Sequence, residues 1–400
     1  MISVDTFKGM DNRHKAEALP EGFMRDLINV DVDDLGKLAL RDGATLLYAG
    51  DVHSLYGNYF VEAGDLKQLN SDNTATTIES GVGNSTMAYA TVADTVYFSN
   101  GIVAGKIKGS EVTRWGVQRP PEQPKCTAIA NGDLFQGDYL VAITWIDYDG
   151  VESGTPKSNV VTVESGGGIQ LTQFITPPIN VEKIAVYVSQ ANSETLYLYS
   201  EFPRSISNVT IKKGLSDIAL KTQFGKQPFP CSIMQAHYGR IYIAVDDRLH
   251  FTEAQNYGLL MPNSFWIFDS EIQLVASIPN ALYVVTQNKT YRVSNIDVEG
   301  FPIRTEVKPY GGTKGTLTVD TDSNTAYWLS AEGFVAANQD GITEMHRANV
   351  VTSEFEKGAT TILEQNGTKK LVGSFQAGNA SNLLDAQFKA DEIARKGNAI

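Results

Sequence analysis

Only two of the 400 residues are cysteine, Cys126 and Cys231. That is too few for a disulfide scaffold. No run of 18 apolar residues occurs, so no helical membrane span is expected. The opening stretch, MISVDTFKGMDNRHK, lacks the apolar core of a secretory signal. Positive charge is also in deficit: 33 Lys and Arg face 46 Asp and Glu, a formal net charge of −13. Counterion release on phosphate binding needs clustered Lys and Arg, so this balance argues against a nucleic-acid reader. It does not argue against a surface that DNA slides past without sticking. The composition, 42% hydrophobic and 20% charged, is neither disordered nor fibrous.

Catalytic signatures are missing too. The five histidines, His14, His53, His237, His250 and His346, form no H-E-x-x-H pair and no close Cys/His cluster. Neither a G-x-S-x-G elbow nor a phosphate-binding G-x-x-x-x-G-K loop occurs. Carboxylate pairs such as Asp246–Asp247, Asp320 with Asp322, and Asp147 with Asp149 lie in turns, where Asp bonds its own backbone. A glycosidase using such a pair is the weakest of three functional readings. Asp31–Asp42 places Asp31, Asp33, Gly36 and Asp42 as a calcium loop would, but Leu35 stands where an oxygen ligand is required. No metal, cofactor or catalytic residue is therefore assigned. Gly166–Gly168 and Gly311–Gly315 read as turns or bulges. Five N-x-S/T sequons carry no information without a secretory signal.

What is present is strand signal. Short runs rich in Val, Ile, Thr, Tyr and Phe, such as Thr95–Ser99, Arg240–Val245, Ala281–Thr286 and Thr325–Ser330, are each followed by a polar turn and a second run. They recur at a fixed distance. Tyr59 to Tyr97 is 38 residues, Tyr242 to Tyr283 is 41, Tyr283 to Tyr327 is 44, and Leu371 follows 44 later. The interval from Tyr97 to Tyr242 is 145, which falls to about 39 once roughly 106 residues between Arg119 and Phe224 are set aside. A period near 40–45 is that of a four-stranded propeller blade. The expected fold is all-β: a propeller of about six blades carrying an insertion.

The insertion opens on a proline-bearing linker, Arg119–Pro124. In Gly137–Trp145, Tyr139, Val141, Ile143 and Trp145 alternate onto one face, and a turn follows at Asp147–Gly150. Its length and turn spacing match a small β-sandwich. The expected division is 1–118 for the N-terminal segment and first blades, 119–228 for the sandwich, 229–376 for the remaining blades and 377–400 for a short C-terminal helix. Asn382 would cap that helix, and Leu384 and Phe388 would form its apolar stripe, packed on its own propeller or docked on a neighbouring subunit.

The segments Gly9–Arg13, Ala18–Gly22 and Arg25–Gly43 resemble the opening of tailed-bacteriophage tail nozzle, or packaged-DNA stabilisation, proteins. Asn29, Val30, Asp31, Gly36, Arg41 and Gly43 sit where that opening places them. Gly137–Ser153 with Val181–Tyr187 is similar to the immunoglobulin-like, fibronectin type III-like inserts of phage structural proteins. The resemblance implies a virion protein made in the host bacterial cytoplasm: a homo-oligomer, as a sixfold ring, around the DNA exit channel. Its partners would be adaptor or portal-proximal proteins and tail fibre or needle proteins, with genomic DNA passing unbound. The acidic balance suits such a lumen, since carboxylates repel phosphates. The alternative is a receptor- or glycan-binding tail protein, given how well Tyr and Trp suit contact surfaces.

Contacts to fibres or neighbours are expected on the insert's loops, at Asp147, Tyr148, Asp149, Glu152, Asn192 and Glu194, and on the helix at Leu384 and Phe388. Cys126 and Cys231 flank the insertion. Two reduced, buried thiols are the simpler reading, and a disulfide in an assembled virion is the alternative.

Overall fold

The structure, a computed structural model, describes residues 6–28, 30–32, 35–41, 43, 45–213, 216–296, 302–345, 347–350, 355–365 and 368–377. It is all-β. The expected C-terminal helix, with Leu384 and Phe388, lies outside the described residues, as do Asn29, Asp33, Asp42 and His346. The chain forms two compact units: Met1–Gly50 with Asp246–Arg248 and Ile267–Ile400, and Asp51–Val245 with Leu249–Trp266.

The repeating element is a four-stranded antiparallel meander, the propeller blade. The second unit holds the blades Val52–Tyr56, Tyr59–Glu62, Asp65–Leu69, Ala75–Glu79 and Ala88–Val92, Thr95–Ser99, Ala104–Lys108, Glu111–Arg114. A third blade, of Ile233–His237, Arg240–Val245, Arg248–Phe251 and Phe265–Ile267, belongs almost wholly to it. The first unit holds two more. These are Ile272–Ile278, Ala281–Thr286, Thr290–Ser294, Ile303–Lys308 and Thr318–Asp320, Thr325–Ser330, Gly333–Asn338, Gly341–Glu344. Tyr59, Tyr97, Tyr242, Tyr283 and Tyr327 each fall on the second strand of their sheet. Leu371 does so as well, but its sheet is a two-stranded hairpin, Phe355–Gln365 with Thr368–Ala377. Among the described residues the array is thus five full blades and one hairpin, where about six blades were expected.

Blades exist because a strand turns alternate side chains to opposite faces and both faces must be covered. Thr95–Ser99 shows this in two adjacent residues. Tyr97 packs with Trp115, Met234, Ile241 and Ile243, toward the third blade. Phe98 packs with Val61, Leu66, Met87 and Ile107, toward the first. In the other unit, Tyr283, Val285, Trp328 and Val335 fill the space between its two blades. Each large side chain so buried contributes about 1.5–3 kcal/mol.

The chain between the second and third blades forms a seven-stranded sandwich. One sheet is Lys125–Leu134, Gly167–Thr172, Asn208–Ile211, and the other is Asn159–Val163, Gly137–Asp147, Val181–Ser189, Leu196–Pro203, each in spatial order. Tyr139, Val141, Ile143 and Trp145 all enter one core with Val163, Ile169, Ile184 and Ile211. The intervening Ala142 joins Ala185, Tyr187 and Leu196 on the outer face. There Ile218 and Leu220 back the edge strand: Leu198 N donates to Ile218 O, and Leu220 N to Leu196 O.

In the first unit the N-terminal segment makes its own small structure. Gly9–Met10 pairs in parallel with Phe23–Met24. Val30–Val32 and Leu38–Leu40 form a hairpin, with Val30 opposite Leu40 and Val32 opposite Leu38. Gly36 turns this hairpin at φ +74°, a conformation that favours glycine, and its carbonyl accepts from Phe7 N. No other side chain fits there, because a Cβ would lie 2.3 Å from Thr6 Cγ2.

Candidate interaction surface

The turn after Gly137–Asp147 is built by one aspartate. Asp147 Oδ1 accepts from Asp149 N at 3.0 Å and Val151 N at 2.8 Å, and Gly150 closes the turn at φ +78°. The Asp147 side chain is almost fully buried, beside the second blade. Lys106, on the third strand of that blade, lies 3.7 Å from Asp147 Oδ2 and directly on Asp149. Burial raises the Asp147 carboxyl above the usual range, while backbone N–H groups and Lys106 oppose that rise. Burial and these two carboxylates also raise the nearby Tyr97 hydroxyl.

Glu152 faces inward as well. Its Oε1 accepts from Thr144 Oγ1 at 2.5 Å and from Tyr187 Oη at 2.6 Å. Of the expected contact residues in this turn, Asp147 is buried, Glu152 half-buried and Asp149 exposed. Asp147 and Glu152 are spent within the sandwich, and Asp149, though exposed, is held by Lys106. The buried strand backbone and the apolar blade face require these carboxylates to have internal partners. Tyr148, between them, is 67% exposed and is the side chain this turn offers.

Asn192 and Glu194 lie on another loop. Asn192 takes φ +56°, its N donates to Asp138 O at 2.8 Å, and its Oδ1 accepts from Asp138 N at 3.0 Å. Asn192 thus holds its own loop against the start of Gly137–Asp147, while Glu194 is exposed. Asp147 ends that same 11-residue strand, so the two loops sit at opposite ends of the sandwich, about 30 Å apart. The structure does not bring the expected contact residues into one surface.

Sequence reading missed the contacts made where the chain leaves the second blade for the sandwich and returns from it to the third. Trp115 Nε1 donates to Tyr257 O at 2.6 Å. Thr222 Oγ1 donates to Ser153 O at 2.9 Å. Gly154 and Gly116 approach Gly225 and Gly258 so closely that a Cβ would lie 2.2 and 2.4 Å from their carbonyl oxygens. No spacing rule links such positions, because the contacts are made across tens of residues.

Cys126 and Cys231 are both free thiols. Cys126 packs on the sandwich core and Cys231 in the core between the second and third blades. Burial pushes the Cys231 thiol up to about 12. Among the described residues no group of three or more His, Cys, Asp or Glu is placed to hold a metal. No helix there is long and apolar enough to cross a membrane.

No family model matches the chain, and no curated protein does. Solved structures give faint likenesses. PorZ, a surface component of the type-IX secretion system of Porphyromonas gingivalis, is 12% identical over 88% of this chain, with a TM-score of 0.23. The chain spans about half of that structure, 54%. A putative 6-phosphogluconolactonase from Bacteroides fragilis is 11% identical, TM-score 0.26, over 80% of this chain and 96% of its own. Apo AztD from Citrobacter koseri is 11% identical, TM-score 0.25, over 86% and 92%. TM-scores this low carry no function across, and the fold rests on the strand order above.

Proposed function

We propose that the chain is a structural virion protein of a tailed bacteriophage, a tail nozzle or hub subunit that assembles as a ring around the DNA exit channel. The reading is carried by the N-terminal segment. Two of the residues that bear the resemblance there, Asp31 and Arg41, contact each other. Arg41 donates to Asp31 Oδ1 at 3.0 Å across the hairpin that Gly36 turns. An ion pair across a glycine-turned hairpin is what a built module would have there.

Two further observations favour a passive role near DNA. The strands that open the first four blades, VHSLY, AYATV, IMQAH and IQLVASI, contain no Asp, Glu, Lys or Arg. They offer phosphate no cationic hold. Close backbone approaches pack the chain where it leaves the second blade and where it returns from the sandwich, which suits a load-bearing subunit. Portal-proximal and fibre or needle proteins would be its neighbours, with Tyr148 as one contact.

The test is the assembly state of the purified chain. Electron microscopy and sedimentation should show a closed ring, sixfold in the expected case, that captures a portal-proximal protein. A monomer or trimer that binds host cells unaided would instead establish the alternative, a receptor- or glycan-binding tail protein.

A further inference from the structure

In the second unit Lys67, Lys106 and Lys183 are each matched with a carboxylate. Arg119 and Lys157 are not. Both are exposed, and neither side chain makes an ion pair or hydrogen bond among the described residues. They come together on an open cleft of about 500 Å³, between the linker 118–121 and the segment 156–157. Its lining is Gln118, Arg119, Pro120, Pro121, Pro156 and Lys157: two cations, an amide, three proline rings and no carboxylate. Glu122, in the same linker, does not line it and pairs with neither cation. Gln123 holds the two walls together. Its Oε1 accepts from Ile143 N at 2.9 Å, in the strand Gly137–Asp147, and its Nε2 donates to Thr155 Oγ1 at 2.9 Å and Pro156 O at 3.0 Å. Asn159 Nδ2 adds a bond to Pro124 O at 3.0 Å. Proline fixes φ in both walls, so the backbone that carries the cations is set before anything binds.

We propose that this cleft docks an extended acidic segment of a partner protein, with carboxylates on Arg119 and Lys157 and an apolar side chain against the proline rings. The lining selects that chemistry. Two unpaired cations call for an anion, and the planar guanidinium of Arg119 can take a carboxylate through two parallel bonds. Phosphate is usually cradled by backbone N–H groups, and Pro120, Pro121 and Pro156 have none to give. Two cations are also few for a nucleic acid, whose binding grows with the number of phosphates neutralised. The proline rings are apolar walls that a small anion leaves bare and a peptide side chain covers. The net charge of −13 does not prevent this, because at physiological salt charges beyond about 8 Å are largely screened and the local pair decides. The docking holds whether or not the chain is a tail protein.

Fluorescence anisotropy of the full chain with a labelled hexapeptide of alternating Glu and Phe tests this. The parent should bind it, and Arg119→Ala with Lys157→Ala should weaken binding about tenfold or more. Arg119→Lys keeps the charge without the fork and should fall between them. Lys221→Ala, at an exposed cation outside the lining, should bind as the parent does. The altered side chains are all exposed, so melting curves should match the parent's. Equal affinity for a hexapeptide of alternating Lys and Phe would make the cleft merely apolar and overturn the proposal. Tighter binding of a labelled thymidine hexanucleotide, lost in the same double variant, would assign the cleft to phosphate and overturn it as well. So would a parent that leaves the Glu and Phe peptide unbound. Self-association of the parent in sedimentation, abolished in the double variant, would make a second copy the occupant and overturn it too.

Discussion

Lys106 of the second blade stands 3.7 Å from the buried carboxylate of Asp147 in the sandwich, and it bonds Asp149 in the same turn. One cation thus joins two substructures that the chain makes 41 residues apart. Removing it in Lys106→Met leaves Asp147 without its counter-ion, and losing one member of a buried pair costs about 3 kcal/mol. Urea unfolding should show the lower midpoint.

The same pair sets a pH dependence. Asp147 has a raised pKa in the folded state, so the folded chain holds its proton where the unfolded chain has lost it. Its contribution to stability therefore declines as pH rises from the ordinary carboxylate value, about 4, through the raised one. Asp147→Asn should remove that decline, at the cost of the bonds from Asp149 N and Val151 N. Unfolding midpoints measured from pH 4 upward check this.

Much of the architecture was legible because strand period and blade period are both written in residue identity. Tyr97 and Phe98 show it: adjacent large residues in a strand can only be buried if both faces of the sheet are covered. The tyrosine spacing then located the second strand of each of the five blades. Leu371 kept the spacing yet belongs to a two-stranded hairpin, because periodicity counts positions and not paired edges. The contact surface was less legible. Asp147 and Glu152 look like loop carboxylates free to meet a partner, and only three-dimensional packing reveals Lys106, Thr144 and Tyr187 beside them. The exposure of Leu38 and Leu40 was equally hidden, since an apolar residue in a strand reads as core.

Close backbone packing gives a second test of how the sandwich is held. At Gly154 an added Cβ would stand 2.2 Å from the Gly225 carbonyl oxygen, which no rotamer can relieve. Gly154→Ala should cost about 1–3 kcal/mol, the usual penalty of overpacking. The strain falls where the chain returns from the sandwich, so protease cleavage near Gly225 should rise before the blades unfold.

In the first unit Glu344 is an acid-sensitive group. Lys308 Nζ and Tyr310 Oη both donate to its Oε1 at 2.6 Å, holding its pKa at about 2. A depressed folded pKa contributes stability that is present above the unfolded value, near 4.5, and lost as pH falls toward 2. Glu344→Gln should lower the melting temperature at neutral pH and flatten the acid limb between those values. A variant whose melting curve parallels the parent across that window would mean the bonds contribute nothing net.

Tyr148 and Tyr187 separate contact from structure within one sandwich. Tyr187 is buried and donates to Glu152, so Tyr187→Phe leaves that carboxylate one donor short and should cost about 1 kcal/mol. Tyr148 is exposed and makes no comparable bond, so Tyr148→Ala should leave stability within about 0.5 kcal/mol. If the turn is a contact in an assembled tail, the ranking inverts in a functional assay. An aromatic anchor at an interface can supply about 2 kcal/mol or more, roughly a thirtyfold change in affinity. Complementing a phage that lacks the gene with each variant reads this directly: Tyr148→Ala should depress the titre while melting normally, and Tyr187→Phe should melt earlier while supporting growth. Full titre with Tyr148→Ala would remove this turn from the contact surface and leave the loop at Glu194 as the next of the expected contacts to test.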